Sequence, residues 1–311
     1  MKKIVLLFVF LIFCVSLFIY LYTFIEIPNN HYLRAIQDKQ KLLNETPSPR
    51  IVLVGGSNLA LGIESEQFKE KLNLNPINLG LHADLGYEYM IKSTIPGIKE
   101  NDIIILIPEY EYILEKDFRT KELLMAYTIE SESFCFYNYY ERLNIASLSF
   151  FGQIQRNIRQ RYNGYDAYPI DTIYNREGFN SFGDLVNYYS FQKNKKPLFD
   201  KICFFTVKQK QYFEFNDLLI SEAKMRNATV YITYPCLPKS VYCKKSVDSY
   251  KEAITEKYES IIIGTPEDFI FDDSLFFDSR YHMTEEGKKT RTAKLSELII
   301  TALQTKPEYS E

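Results

Sequence analysis

Short unbroken apolar runs alternate along most of this chain with longer stretches in which apolar and charged residues are mixed. The run Arg50-Ile51-Val52-Leu53-Val54 is closed by Gly55-Gly56-Ser57, which predicts a strand emptying into a tight turn. The acid-rich stretch Glu64 to Asn73 predicts the helix that follows. A second strand, Pro76-Ile77-Asn78-Leu79-Gly80, leads into a helix opened by Leu81-His82-Ala83-Asp84-Leu85-Gly86 and running to about Lys99. Ile103-Ile104-Ile105-Leu106-Ile107-Pro108 is the third and most apolar strand. Continuous apolar strands alternating with helices predict an α/β domain whose parallel sheet is covered on both faces.

Further on, Lys121 to about Arg161 is helical and rich in aromatics. Tyr162 to Lys196 is loop-like and punctuated by Gly164, Pro169, Gly178 and Gly183. Together they predict a helical and loop insertion, or lid, over about 120–200. Regular pattern returns with a helix from Gln209 to Asn227, a strand from Ala228 to Tyr234, a helix from about Val247 to Ser260 and a short strand around Phe269 to Phe271. The last helix runs from Thr284 to Leu303, with a hydroxyl and two acids, Thr284-Glu285-Glu286, suited to a helix N-terminus.

The beginning of the chain departs from this rhythm. Ile4 to Phe24 is apolar and charge-free, close to the ~20 residues needed to cross a bilayer core. Lys2 and Lys3 precede it, which predicts a cytoplasmic N-terminus and an extracytoplasmic domain. The rival is a cleaved secretory signal. Its apolar region is usually shorter and followed by small residues, which Leu21-Tyr22-Thr23-Phe24 does not supply. The expected division is therefore 1–24 as cytoplasmic tip and transmembrane anchor, 25–49 as stalk and 50–311 as folded domain. Within the stalk, Pro28-Asn29-Asn30 breaks the anchor, a charged helix runs from about Tyr32 to Leu43, and Thr46-Pro47-Ser48-Pro49 resets the chain.

Charge and composition exclude more than they assign. A formal net charge of -3, from 37 basic and 40 acidic residues, gives no electrostatic footprint for nucleic acid. The 25 Tyr and 23 Phe, with no Trp, suit carbohydrate-facing surfaces and equally an AT-rich codon usage. The five cysteines, Cys14, Cys135, Cys203, Cys236 and Cys243, show no zinc-ligand spacing, so no metal or cofactor is expected. An oxidising exterior would let Cys236 and Cys243 close a loop disulfide.

The candidate chemistry begins at Ser57. It stands at the carboxyl end of a strand, where ligands of open α/β sheets bind, and exposed amides there can stabilise an oxyanion. Of the three histidines, His31 lies in the predicted stalk, so a base working at neutral pH is sought at His82 or His282. His282 sits in a loop before the last helix, and Asp278, four residues earlier, is placed to take its Nδ1 proton.

In this order the residues resemble the SGNH/GDSL-type hydrolases over about residues 50–303. Gly56-Ser57 is similar to that family's first block, Gly80 to its second-block glycine and His282 to its fourth-block base. The resemblance implies a flavodoxin-like three-layer α/β/α fold, Ser57 attacking an ester carbonyl, His282 as base, and the Ser57 and Gly80 amides in the oxyanion hole. Two departures stand out. The third-block Asn is replaced by Pro108-Glu109-Tyr110-Glu111-Tyr112, leaving Asn58 or Asn78 as substitute donors and Glu109 to hold a sugar hydroxyl or orient His82. The family's Asp usually lies three residues before the His, where Ser279 stands here, so a longer turn to Asp278 or a Ser-His dyad is expected. His82 has two readings, substrate contact or a cap beside Asp84. Asn180, Gly183 and Asp184 are candidate cleft residues.

Anchored domains of this kind resemble the extracytoplasmic partners of membrane-bound O-acyltransferases in alginate, peptidoglycan and teichoic-acid modification. The resemblance thus implies a membrane-anchored esterase or O-acyltransferase acting on acyl groups, acetyl foremost, of a cell-envelope glycan. Its alternatives are a stand-alone deacetylase and a catalytically weak scaffold that binds polymer or a transmembrane acyltransferase.

Overall fold

Four strands whose residues are almost all buried make the centre of the molecule, and their lack of polar alternation explains why helices must cover them. The computed structural model describes residues 2–23, 25–113, 120–164, 166–191 and 210–305. Helix α1 (Lys2–Thr23) leads to α2 (Ala35–Glu45), β1 (Arg50–Gly55), the single-turn α3 (Ser57–Ala60), α4 (Glu66–Leu72) and β2 (Asn75–Asn78). Helix α5 (Tyr87–Thr94), β3 (Ile103–Ile107), α6 (Lys121–Ile129) and α7 (Tyr139–Asn163) follow. The chain continues through α8 (Lys210–Met225), β4 (Thr229–Ile232), β5 (Leu237–Pro238), α9 (Lys244–Tyr258), β6 (Ile270–Phe271) and α10 (Glu285–Thr305).

The sheet is parallel with order β2-β1-β3-β4. Helices flank it, α4 against α10 and α5 against α8. Because the chain leaves β1 first toward β2 and later toward β3, the carboxyl ends of β1 and β3 border the crevice where such sheets bind ligands. Among the described residues α1 is the one helix long and apolar enough to cross a membrane, and its apolar side chains are exposed.

The short strand expected around Phe269 to Phe271 is present as β6, paired with β5 in a separate two-stranded ribbon, and among the described residues the sheet is extended beyond β4 by the Ile232 to Ile262 bridge. Three expectations are corrected. The helix expected from Leu81 to Lys99 is broken, because Gly86 takes φ 83° and Pro96 confines the next segment to a short turn, Ile95–Gly97. Cys236 and Cys243 do not form a disulfide: Cys236 is buried and directed at the Tyr281 carbonyl, and Cys243 accepts from the Ser246 hydroxyl. Cys203 lies outside the described residues.

The third correction concerns the stalk. Ile27, Tyr32, Leu33, Ala35, Ile36 and Leu43 are buried in a second apolar cluster or in the main core, so residues from Ile27 onward belong to the folded body. Their spacing puts one face of α2 inward, a helical period that the surrounding charges obscure. Arg176 fixes α2 to the insertion through paired 2.7 Å bonds to Asp38. The Lys39 ammonium, buried, reaches the carbonyls of Asn78 and Gly183 at 2.9 and 2.7 Å.

Candidate functional site

Ser57 owes its position to two close approaches. A Cβ on Gly56 would meet Glu109 Oε1 at 2.7 Å and the Tyr112 hydroxyl at 2.8 Å. One on Gly80 would meet Leu59 Cβ at 2.4 Å and the Gly56 carbonyl at 2.7 Å. Only glycine lets β1, β3 and the loop after β2 converge there. Helix α3 then straddles both apolar clusters, Leu59 in the main core and Ala60 and Leu61 in the second. Buried Arg291 on α10 clamps it from below, bonding the Asn58 carbonyl at 2.6 Å and Asn58 Oδ1 at 3.3 Å.

The opposing loop is closed as tightly. Phe276 and Met283 form an antiparallel bridge, and the Phe277 amide donates to the His282 carbonyl at 2.8 Å. The Met283 amide then donates to the Leu61 carbonyl at 2.8 Å, tying this loop to the end of α3. On its other side the Tyr281 hydroxyl donates to Glu111 at 2.6 Å, and Arg280 pairs with the same carboxylate.

Between these two supports lies a continuous relay. His282 Nε2 is 2.9 Å from Ser57 Oγ, and His282 Nδ1 is 2.7 Å from Asp278 Oδ1. The four-residue spacing therefore closes the bond, and Ser279, at the more usual position, only caps the turn by accepting from the Tyr281 amide. The Tyr174 hydroxyl donates to the free Asp278 oxygen at 2.5 Å. Burial would raise the Asp278 carboxyl, but hydrogen bonds from His282 and Tyr174 outweigh it and hold the group below the ordinary aspartate range. Burial and the neighbouring Asp278 charge push the Tyr174 phenol well up, so it stays a donor.

Tyr174 carries no sequence signal, standing in a loop among unremarkable neighbours; only the fold brings it here. Tyr32 of the supposed stalk packs edge-on against it at 5.7 Å between ring centroids, and a bridge between His31 and Asn175 fixes the strand beside it. We predict that Tyr174→Phe lowers the rate of Ser57 acylation about 10-fold, the value of one charge-assisted hydrogen bond. Asp278 loses a bond to its charged form, its pKa rises, and the acid limb of the rate profile moves to higher pH. A pH series on parent and variant reads both effects.

The remaining candidates divide. Glu109, 5% exposed, is part of the cluster: its Oε1 lies 3.5 Å from Ser57 Oγ and accepts from the Asn58 amide at 3.3 Å. The partner proposed for it, His82, is held by its own turn. That histidine accepts from the Asp84 amide at 3.1 Å, capping a short turn, and burial lowers its pKa despite Asp84 nearby. Asn58 and Asn78 are not substitute oxyanion donors. The Asn58 side-chain amide is committed to the Ile107 carbonyl and Glu109, and that of Asn78 to the Leu59 carbonyl and Asp184. Gly80 is adjacent as expected, but its N–H donates to Asn78 Oδ1 at 2.9 Å, so its place reflects close packing. Asp184 does not line a cleft, being buried on the Ser65 amide and hydroxyl, and Asn180, which accepts from the Phe182 and Asp184 amides, lines a groove beside α2 with Asp38, Lys41 and Arg176 that does not include Ser57. Gly183 takes φ 92° in that locked turn.

An Asp-His-Ser relay at the carboxyl edge of a parallel sheet is the chemistry of a nucleophilic hydroxyl: the imidazole can take the Ser57 proton while Asp278 fixes its tautomer. No family model matches this chain, and no curated protein matches it.

Proposed function

We propose that the chain is an SGNH/GDSL-type serine esterase or O-acyltransferase, anchored by α1 with its domain outside the cytoplasmic membrane, acting on acyl groups of a cell-envelope glycan. The observation that carries this reading is the unbroken Asp278 to His282 to Ser57 relay. Ser57 Oγ attacks the ester carbonyl as His282 Nε2 takes its proton. The tetrahedral intermediate collapses, the leaving hydroxyl receives that proton, and an acyl-serine remains. Water, or a sugar hydroxyl, then attacks with His282 as base and regenerates the serine. The Ser57 amide, in the first turn of α3, has no partner within its helix and is the nearest oxyanion donor. An oxyanion reaching for the Asn58 amide competes with Glu109 Oε1 for it. Each oxyanion donor is worth about 10²- to 10³-fold in rate, so turnover is expected to be slow unless substrate displaces Glu109.

That competition, with the Gly80 amide committed to Asn78, favours a second reading: a catalytically weak domain that holds polymer or a transmembrane acyltransferase. Ester content of the envelope in cells carrying Ser57→Ala separates the outcomes. A transferase variant lowers ester-linked acetate relative to parent and an esterase variant raises it. Unchanged acetate contradicts the enzymatic reading.

A further inference from the structure

Outside the relay, the feature that the fold leaves unanswered is the outer face of α7. Its inner face is built for the protein. Ile145 and Ser149 are buried, and the Ser149 hydroxyl donates to the Leu124 carbonyl of α6 at 2.6 Å. Asn138 and Glu141 close a capping box at its start, and Gly164 ends it in the left-handed region, so the helix is specified along its whole length.

The opposite face carries Tyr140, Leu143, Phe151 and Tyr162 at 80%, 52%, 66% and 72% exposure. Partly buried Ile154 and Ile158 fill the same stripe. These positions recur every three or four residues, interrupted by Ser147, so they form one continuous band. Exposed Arg159 and Arg161 lie at its two edges.

A second observation says what covers it. Helix α7 packs against α1, the apolar helix whose side chains are themselves exposed from Ile4 to Tyr20. If α1 sits in a bilayer, α7 is brought to that bilayer's surface. Tyrosines at both ends of the band, a phenylalanine at its middle and arginines at its margin are the residues suited to headgroups and the acyl boundary.

We propose that the outer face of α7 is a lipid-binding site, lying in the headgroup region of the membrane that α1 enters and holding the domain at a fixed height and tilt. The occupant is the lipid surface itself, with anionic headgroups meeting the arginines. This inference depends on α1 entering a bilayer and not on the chemistry of Ser57.

The absence of tryptophan makes the test clean. Phe151→Trp, in the full chain reconstituted into phosphatidylcholine–phosphatidylglycerol vesicles, supplies one indole on the band. Met225→Trp supplies one at the end of α8, where Met225 is 69% exposed. Replacing the lipids by their acyl-brominated forms is expected to quench the Phe151→Trp emission at least about twofold, the face being sunk to the acyl boundary. Met225→Trp should keep its emission. Vesicle flotation with a Phe151→Trp emission that is water-like and unquenched overturns the lipid site while leaving α1 in place. Failure of the chain to float with vesicles overturns both.

Discussion

His282→Ala lowers the rate at which Ser57 is acylated by about 10⁴- to 10⁶-fold, the range lost when serine hydrolases lose their base. The size of the effect follows from what else surrounds the hydroxyl. Among the described residues, Glu109 Oε1 is the other side-chain atom within hydrogen-bond distance of Ser57 Oγ, at 3.5 Å, and it is already shared between the Asn58 amide at 3.3 Å and Asn58 Nδ2 at 3.4 Å. A carboxylate so engaged is poorly aimed to take a second proton, so no neighbour replaces the imidazole. Asp278→Asn costs about 10⁴-fold, the lower end of that range, because the imidazole then adopts the wrong tautomer. Stopped-flow hydrolysis of an activated acetate ester measures both. Thermal melts of the variants should stay near parent, since His282 and Asp278 keep some exposure and belong to neither apolar cluster.

The largest expected loss of stability comes from Arg50→Met. Arg50 and Asp102 are fully buried and joined by a two-point bond, with Arg50 Nε to Asp102 Oδ1 at 2.7 Å. The same guanidinium holds the Leu43 carbonyl at the end of α2 and the Gly97 carbonyl after α5. Methionine fills much of the volume but leaves Asp102 as a buried charge whose remaining partner is the Lys99 amide at 2.7 Å. Breaking a buried pair in this way costs about 3–5 kcal/mol. Adding Asp102→Leu removes the orphan charge and is expected to recover part of the loss, not all, because two backbone carbonyls remain without their donor. Urea denaturation of the two variants and parent gives the comparison.

Arg50 also marks how far the sequence could be read. As the first residue of β1 it reads as a boundary, whereas it is the bolt joining α2 to the sheet. The strand sequence was legible because both faces of β1 and β3 are buried and leave unbroken apolar runs. The Ser57 turn was legible for the same reason, since a diglycine can end such a run without another explanation. His282 and Asp278 could be found because histidine is rare here and the helix after them announces itself at Thr284.

What could not be read depends on contacts far apart in sequence. Tyr174 meets Asp278 across 104 positions, and Arg291 meets Asn58 across 233. Neither has a local pattern, and both are held by loops or helices whose own marks are ordinary. Asn58 and Asn78 illustrate the converse: chemistry nominated them as oxyanion donors, but in a buried turn their amides must first satisfy backbone carbonyls. Residues 27–45 read as a stalk because Arg34, Asp38, Lys39 and Lys41 mask a buried face that the insertion and the main core together complete.

The central claim is that Ser57 is a nucleophile activated by His282, and a fluorophosphonate probe tests it most directly. Incubated with the full chain and digested, the probe should appear on the peptide carrying Ser57. It should be absent from Ser57→Ala and nearly absent from His282→Ala. A chain that stays unlabelled where a control serine hydrolase is labelled, or one labelled equally with and without His282, would contradict the account.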